Sequence, residues 1–356
     1  MNGSQFLVIT TLLSGFLSGG VSLAADGSSR QVATKIAEFN EEKEISSMDF
    51  SPDTHRLAAV EWTGSEVHIW KWQGDPVIEK RFSIAEGTAL STSQSGLQYS
   101  PDGTLLAMVQ MAQRANDFGV VRIWDTRSGS LVHEIKEASR NGLKSSIAFS
   151  ADGKFLMRSY DAARSAGDQF FVHDTKTWDV VWSLHTAPFI PKTMALSPNG
   201  KSVVLGGMSH GASNTSSDLV TLDLQNHGIE RRMTAFAADQ APNLVLWSPD
   251  GARILAISID GSQTPGAPSL TMLDASNGQK TDLESNAAAG VQSLVFAANG
   301  KYLIEGGEHL PVTIWNSMHT TKLQEIPIQP ARLAVSRDGR YLAVARLSKV
   351  SVWQIN

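Results

Sequence analysis

The chain has 356 residues, 42% hydrophobic and 18% charged, with a formal net charge of −5 at pH 7. That balance describes a folded chain long enough to bury a sizeable core, and excludes a disordered one. It carries no Lys/Arg-rich block, so a nucleic-acid partner has no electrostatic support; the absence of cysteine excludes disulfides, thiolate metal sites, a catalytic thiol and a cysteine-linked lipid anchor.

Residues 1–24 read as a signal peptide. The stretch "FLVITTLLSGFLSGGVSLA" (6–24) is apolar and uncharged, and Ser22-Leu23-Ala24 sets small residues at the −3 and −1 positions before Ala25-Asp26. Gly15, Gly19 and Gly20 weaken the stretch as a permanent membrane span. The preceding "MNGSQ" has no Lys or Arg, leaving the α-amino group as its positive charge. The expectation is cleavage after Ala24, a periplasmic or secreted location, no stable membrane span after removal, and one domain over 25–356.

A strand-like stretch, "QVATKIAEF" (31–39), comes next. A ten-residue phrase then recurs: "FSPDTHRLAA" at 50, "YSPDGTLLAM" at 99, "FSADGKFLMR" at 149, "LSPNGKSVVL" at 196, "WSPDGARILA" at 247, "FAANGKYLIE" at 296 and "VSRDGRYLAV" at 335. A second marker keeps step: an apolar strand ending in a bulky residue, at Trp70, Trp124, His173, Leu222, Leu273, Trp315 and Trp353. A repeat of about fifty residues is the signature of a repeat architecture. Unit two shows its content. "LQYS" is an inner strand; Pro101, Asp102 and Gly103 make a tight turn; "TLLAMVQM" is a strand apolar on both faces; "VVRIWD" and "SLVHEI" are third and fourth strands joined by "TRSG". Four-stranded sheets repeated around an axis predict an all-β fold, a seven-bladed β-propeller of antiparallel blades. The last unit stops at Asn356 after its third strand, so 31–39 is expected to pair beside "KVSVWQ" (349–354) and complete it.

The "SPDG"-type turns and the strand-end dipeptide Trp124-Asp125 give the chain a resemblance, over residues 31–356, to the WD-repeat β-propeller family in a degenerate bacterial exported form. Asp174, Asp223 and Asp274 keep the acid of that dipeptide without the tryptophan; Trp315-Asn316 and Trp353-Gln354 keep the ring without the acid. The family's Gly-His dipeptide before the inner strand is missing from every unit, which argues against the family's Asp–His–Ser–Trp network. The bulky strand-end series is expected to be inter-blade core.

Variation concentrates in the connections between second and third strands. They are long and polar in units two to five ("MAQRANDFG", 111–119; "YDAARSAGD", 160–168; "GMSHGASNTSSD", 207–218; "DGSQTPGAPS", 260–269) and brief in the others. Propeller geometry puts them on the same face as the blade links, where "IAEGTALSTSQSG" (84–96) and "HTAPFIP" (185–191) join them. Enlargement on one face of a repeat protein marks a binding face. The contacts expected there are Arg114, Asn116, Asp117, Asp161, Arg164, His210, Asn214 and Asp260, with Tyr160, Phe189 and Trp62 as aromatic anchors.

Catalytic motifs are weak. "GMSHG" (207–211) matches Gly-x-Ser-x-Gly, but a nucleophile elbow needs a strand, a turn and a helix, and Ser209 precedes a loop and another strand. The nine histidines show no metal-ligand spacing, and His173 reads as a packed ring. Asp53, Asp102, Asp152, Asp250 and Asp338 read as turn residues. Asn214-Thr-Ser is a glycosylation acceptor pattern, meaningful in a eukaryotic secretory pathway. The expected function is therefore non-enzymatic, without cofactor or metal: an exported propeller that binds another protein or an envelope ligand. A purely structural subunit of an envelope complex is a related expectation. The resemblance also implies an alternative, a propeller enzyme of the lactonase-like hydrolase or quinone-dependent dehydrogenase kind with its site at the mouth of the central channel, for which convergence of Asp161, Asp168, His210 and Asp260 there would be the deciding observation.

Overall fold

The structure is a computed structural model that describes residues 31–62, 66–84, 89–90, 96–111, 120–136, 145–160, 167–210, 215–236, 240–260, 270–281, 291–307, 310–329 and 332–356. The predicted signal peptide lies outside them. Gln31–Asn356 forms one compact unit.

Seven four-stranded antiparallel blades follow in order. Blade one contains β2 (Ile45–Phe50), β3 (Arg56–Glu61), β4 (Glu66–Lys71) and β5 (Val77–Ser83), after β1 (Ala33–Asn40). A two-residue strand, β6 (Ala89–Leu90), precedes blade two: β7 (Leu97–Tyr99), β8 (Leu105–Met111), β9 (Val120–Asp125) and β10 (Leu131–Lys136). Blade three is β11 (Ser145–Phe149), β12 (Phe155–Tyr160), β13 (Phe170–Asp174) and β14 (Val180–Leu184). Blade four is β15 (Phe189–Leu196), β16 (Ser202–His210), β17 (Thr215–Asp223) and β18 (Gly228–Phe236). Blade five is β19 (Gln240–Trp247), β20 (Arg253–Asp260), β21 (Leu270–Asp274) and β22 (Lys280–Thr281). Blade six is β23 (Val291–Ala297), β24 (Tyr302–Gly307), β25 (Val312–Asn316) and β26 (Lys322–Ile326); blade seven is β27 (Arg332–Val335), β28 (Tyr341–Arg346) and β29 (Lys349–Ile355). Each inner strand packs on the next, and β27 packs back on β2, so the sheets close into a ring. The short β6 pairs with the far end of β8, inside a segment expected to be a plain blade link.

Ring closure is the expected one. β1 runs antiparallel to β29, from Ala33 opposite Ile355 to Asn40 opposite Lys349, and becomes the outer strand of blade seven. Gln324 of blade six ties the strand down, accepting the N–H groups of Val32 and Ala33 and donating to the Ala33 carbonyl.

The recurring phrase has a uniform physical basis. In six blades a serine follows the inner strand, and its Oγ accepts the backbone N–H five residues on. The pairs are Ser51–Arg56, Ser100–Leu105, Ser150–Phe155, Ser197–Ser202, Ser248–Arg253 and Ser336–Tyr341, all at 2.9–3.0 Å. The same hydroxyl donates to the acid or amide two residues on: Asp53, Asp102, Asp152, Asn199, Asp250 or Asp338. Those acids are turn residues, as expected; the Ser150 hydroxyl holds the Asp152 carboxyl below the usual carboxylate range. Blade six has Ala297 in place of the serine and a short 3-10 turn, Ala298–Gly300. Gly103 takes the left-handed conformation the turn needs (φ 72°) and lies close against Pro52 of the preceding turn, where a Cβ would come within 3.3 Å of that ring.

The acids at the ends of the third strands work the same way. Asp125, Asp174, Asp223 and Asp274 each accept two backbone N–H groups of the following turn. Of the bulky strand-end series, Trp70, Trp124, His173, Leu222 and Leu273 are buried, while Trp315 and Trp353 are half-buried.

Because β1 supplies a whole edge of blade seven, deleting residues 31–40 should lower the midpoint of thermal unfolding sharply. An unchanged melting temperature by circular dichroism would contradict closure by β1.

Candidate functional site

The enlarged face lies largely outside the described residues. Arg114, Asn116, Asp117, Asp161, Arg164 and Asn214 are outside them altogether. His210 and Asp260 are described in backbone only, at the ends of β16 and β20, and so is Tyr160 at the end of β12. Trp62, just after β3, is 40% exposed. Phe189 is a correction: it is fully buried in the core shared by blades three and four, because the chain enters β15 at this residue rather than looping past it.

Residues 207–218 are a second correction. Residues 207–210 and 215–218 continue β16 and β17 as an antiparallel pair instead of lying in a loop, while 211–214 are outside the described residues. β16 and β17 pair through nine positions, from Ser202–Asp223 to His210–Thr215, against five for β12 and β13. The four extra pairs make this strand pair about 13 Å longer than that of blade three. It is braced within and beside itself. Asp218, buried, accepts from Ser209 Oγ (2.8 Å) and Ser216 Oγ (2.7 Å), and Ser217 Oγ donates to the Gln240 carbonyl of blade five. At its base a Cβ on Gly207 would meet the Ile190 carbonyl oxygen at 2.1 Å, so β15 and β16 approach there as glycine alone allows. Ser209 sits in regular register on this hairpin, which excludes a nucleophile elbow. His173 is a buried ring between Arg158 Nε (3.1 Å) and the Trp178 carbonyl (3.1 Å), as expected. Asp168 accepts from Ser183 Oγ within blade three. Among the described residues no group of three or more His, Asp or Glu could hold a metal ion.

Cavities bordered by the described residues include two clefts between blades and one at the ring centre. A cleft of about 280 Å³ between blades one and two contains Arg56, Lys80 and Arg127. Two of these cations are already engaged: Arg56 with Glu79, and Lys80 with the Thr126 carbonyl at 2.8 Å. A cleft of about 360 Å³ between blades three and four is walled by Phe155, Trp182 and His227, the last two rings stacked at 4.9 Å. Its acid and amide, Asp152 and Asn199, are held by the turns.

The third cavity, about 340 Å³, touches the inner strands of blades one to five and the turn after β27. A space bordered by six of seven blades is the central channel. Counting two residues back from each turn serine gives its lining: Asp49, Gln98, Ala148, Ala195 and Leu246 all border it. The lining is mixed: Asp49, Gln98, Thr193 and Arg337 bring polar side chains, and Ala148, Ala195, Leu244 and Leu246 bring apolar ones. The backbone N–H of Tyr99 donates to Asp49 Oδ2 (2.8 Å), and among the described residues no side chain donates to this carboxylate. Crowding by the inner strands pushes the Asp49 carboxyl up to about 7, against the Tyr99 hydrogen bond and the charge of Arg337. Arg337 stands at the turn end, where its Nη1 donates to the Pro101 carbonyl of blade two (3.3 Å), far from it in sequence.

Sequence reasoning passed over Asp49. It lies inside an inner strand, and its position becomes visible once the seven phrases are superposed: the residue two before the serine is polar in units one and two alone.

Comparison with known protein families finds no match, and no curated protein matches either. Solved structures match in large number, 1281 chains, so the likeness is to a widespread architecture rather than to one function. One of them, "Kuenenia stuttgartiensis Hydrazine Synthase", superposes with a TM-score of 0.68 at 16% identity, covering 88% of this chain and 96% of that one. The similarity is one of fold, a β-propeller.

The raised Asp49 value has a stability consequence. The folded chain binds this proton more tightly than the unfolded chain, where aspartate has its ordinary value of 3.8. The resulting stabilisation is complete below about pH 4 and lost as pH rises through about 7. Thermal unfolding of the protein and of Asp49→Asn at pH 4.5, 6 and 8 should show the protein losing ground to the variant as pH rises; a constant difference would contradict the assignment.

Proposed function

We propose that the chain is an exported, non-catalytic propeller, akin to the WD-repeat type in degenerate form, that binds a protein partner or envelope ligand through the face carrying the second-to-third connections. The observation that carries this reading is the β16–β17 hairpin. Its strand pair is longer than that of blade three, and its described part is held from within by Asp218 and from the side by blade five. A rigid strand pair loses little conformational entropy on binding, which is what a recognition element requires. Blades two, three and five also have long second-to-third connections in the sequence, and propeller connectivity assigns such connections to the same face. The predicted signal peptide would place the protein in the periplasm or outside the cell. No described helix is long and apolar enough to cross a membrane.

A second reading keeps an enzyme at the channel. Its support is Asp49, whose protonation changes near neutrality, where a general acid–base group is most effective. The similar solved chain is named for an enzyme, but at 16% identity it contributes fold alone.

The first reading is tested by replacing residues 209–216 with Asn-Gly, a two-residue hairpin turn. Pull-down from envelope extracts with the mature protein should capture a partner that the shortened variant loses while keeping its unfolding temperature. Retention of every captured partner would overturn the reading.

A further inference from the structure

The central channel is the cavity in which a side-chain acid faces the empty volume without a side-chain donor among the described residues. Asp49 and Gln98 come from adjacent blades, and blades three to five contribute Ala148, Ala195, Leu244 and Leu246 together with one polar side chain, Thr193. A carboxylate buried against an apolar wall is costly to ionise unless a cation meets it. Arg337 is placed to help but is turned to the Pro101 carbonyl at the channel end. We infer that the channel is a binding site for a small organic ammonium with an apolar body, its cationic head on the Asp49 carboxylate and the Gln98 amide oxygen, its hydrocarbon against Leu244 and Leu246. The cavity volume suits a molecule of that size and not a peptide. This site is separate from the blade-four hairpin and requires no turnover, so it stands or falls apart from both readings above.

The groups that face Asp49 define the expected pH response. On β3, Ala58 is its register partner, and Arg56 and Glu61 lie at the strand ends. β7 brings Gln98 and Tyr99; β27 carries Arg332 and leads to Arg337; β28 has Tyr341 and Arg346 at its two ends. Of the charged side chains, Arg337 is the one whose field favours the ionised carboxylate, and burial opposes it. An ammonium ligand would select the ionised form, so its affinity should follow ionisation of the free site.

The probes are three compounds of one shape: 2-phenylethylamine, 2-phenylethanol and 3-phenylpropanoate, measured by calorimetry on the mature protein. The ammonium should bind at least about tenfold more tightly than the alcohol at pH 8. Its affinity should rise about tenfold between pH 6 and pH 8, the ratio set by ionisation of one group near 7. Asp49→Asn should abolish both the preference and the pH dependence. Leu246→Phe, which fills the apolar wall and leaves Asp49 in place, should weaken all three compounds together, and serves if the Asn variant fails to fold. Tighter binding of the propanoate would transfer control of the site to Arg337 and overturn the inference. Equal binding of amine and alcohol, survival of the amine preference in Asp49→Asn, or no binding by any of the three would overturn it as well.

Discussion

One hydroxyl per blade organises the fold. In six of the seven blades the serine that follows the inner strand closes its turn in both directions, accepting an N–H from the start of the next strand and donating to the acid or amide within the turn. The serine is buried and the N–H it accepts is partly so, and either group left without a partner would cost about 1–3 kcal/mol. Because the turn is fixed, its outer surface is fixed too, and the next blade seats a turn glycine on it: Gly103 on Pro52, Gly153 on Pro101, Gly300 on Pro249. The ring thus acquires its blade-to-blade spacing from a local hydrogen-bond pattern repeated at a constant place. Blade six lacks the serine and keeps the geometry through a 3-10 turn whose Ala298 N–H donates to the Gly339 carbonyl of blade seven.

The rings at the strand ends show how the chain does without the network expected of its family resemblance. Glu41, in the link that follows β1, accepts from the Trp70 indole and from His68 (2.6 Å), so one buried carboxylate ties closure strand, inner link and blade one together. Its hydrogen bond raises His68 above the usual histidine range. Glu305 does the same in blade six, holding Trp315 Nε1 (2.8 Å) and His319 (3.2 Å). These glutamates come from different places in the two blades. The solution is convergent within one chain: a tryptophan N–H at the end of a third strand needs a buried acceptor, and either position can supply it.

The repeat made the architecture legible. Strands such as 105–111 and 120–125 could be read almost to the residue because a turn signal stands at each end and the unit recurs. The closure strand was legible for a subtler reason, an unpaired strand at one end and a three-strand unit at the other. What repetition could not show was depth. Phe189 looked like part of a loop because Pro188 and Pro191 flank it, yet both are compatible with the start of an inner strand, and the ring is buried. The serine-rich segment of blade four looked like an insertion because polar residues usually mark loops; a buried aspartate that satisfies two of its hydroxyls turns the same composition into a strand pair. Asp49 was hidden because strand periodicity reports which way a side chain points, not whether the space it points into is filled.

The position of Asp49 in the ring also explains why it occurs once. Seven copies of a residue at that level would surround one narrow channel, and seven carboxylates there would suppress each other's ionisation. Equivalent positions in the other blades are an amide in blade two and apolar side chains elsewhere, Val295 and Ala334 included. A single acid beside Gln98 gives the channel its polar side. The β16–β17 pair departs in the same manner, running to nine positions against five in the corresponding pairs of blades three and five. In a ring whose turns are locked by the same hydroxyl, such departures can be made one blade at a time without disturbing the neighbours, because the spacing between blades is set elsewhere.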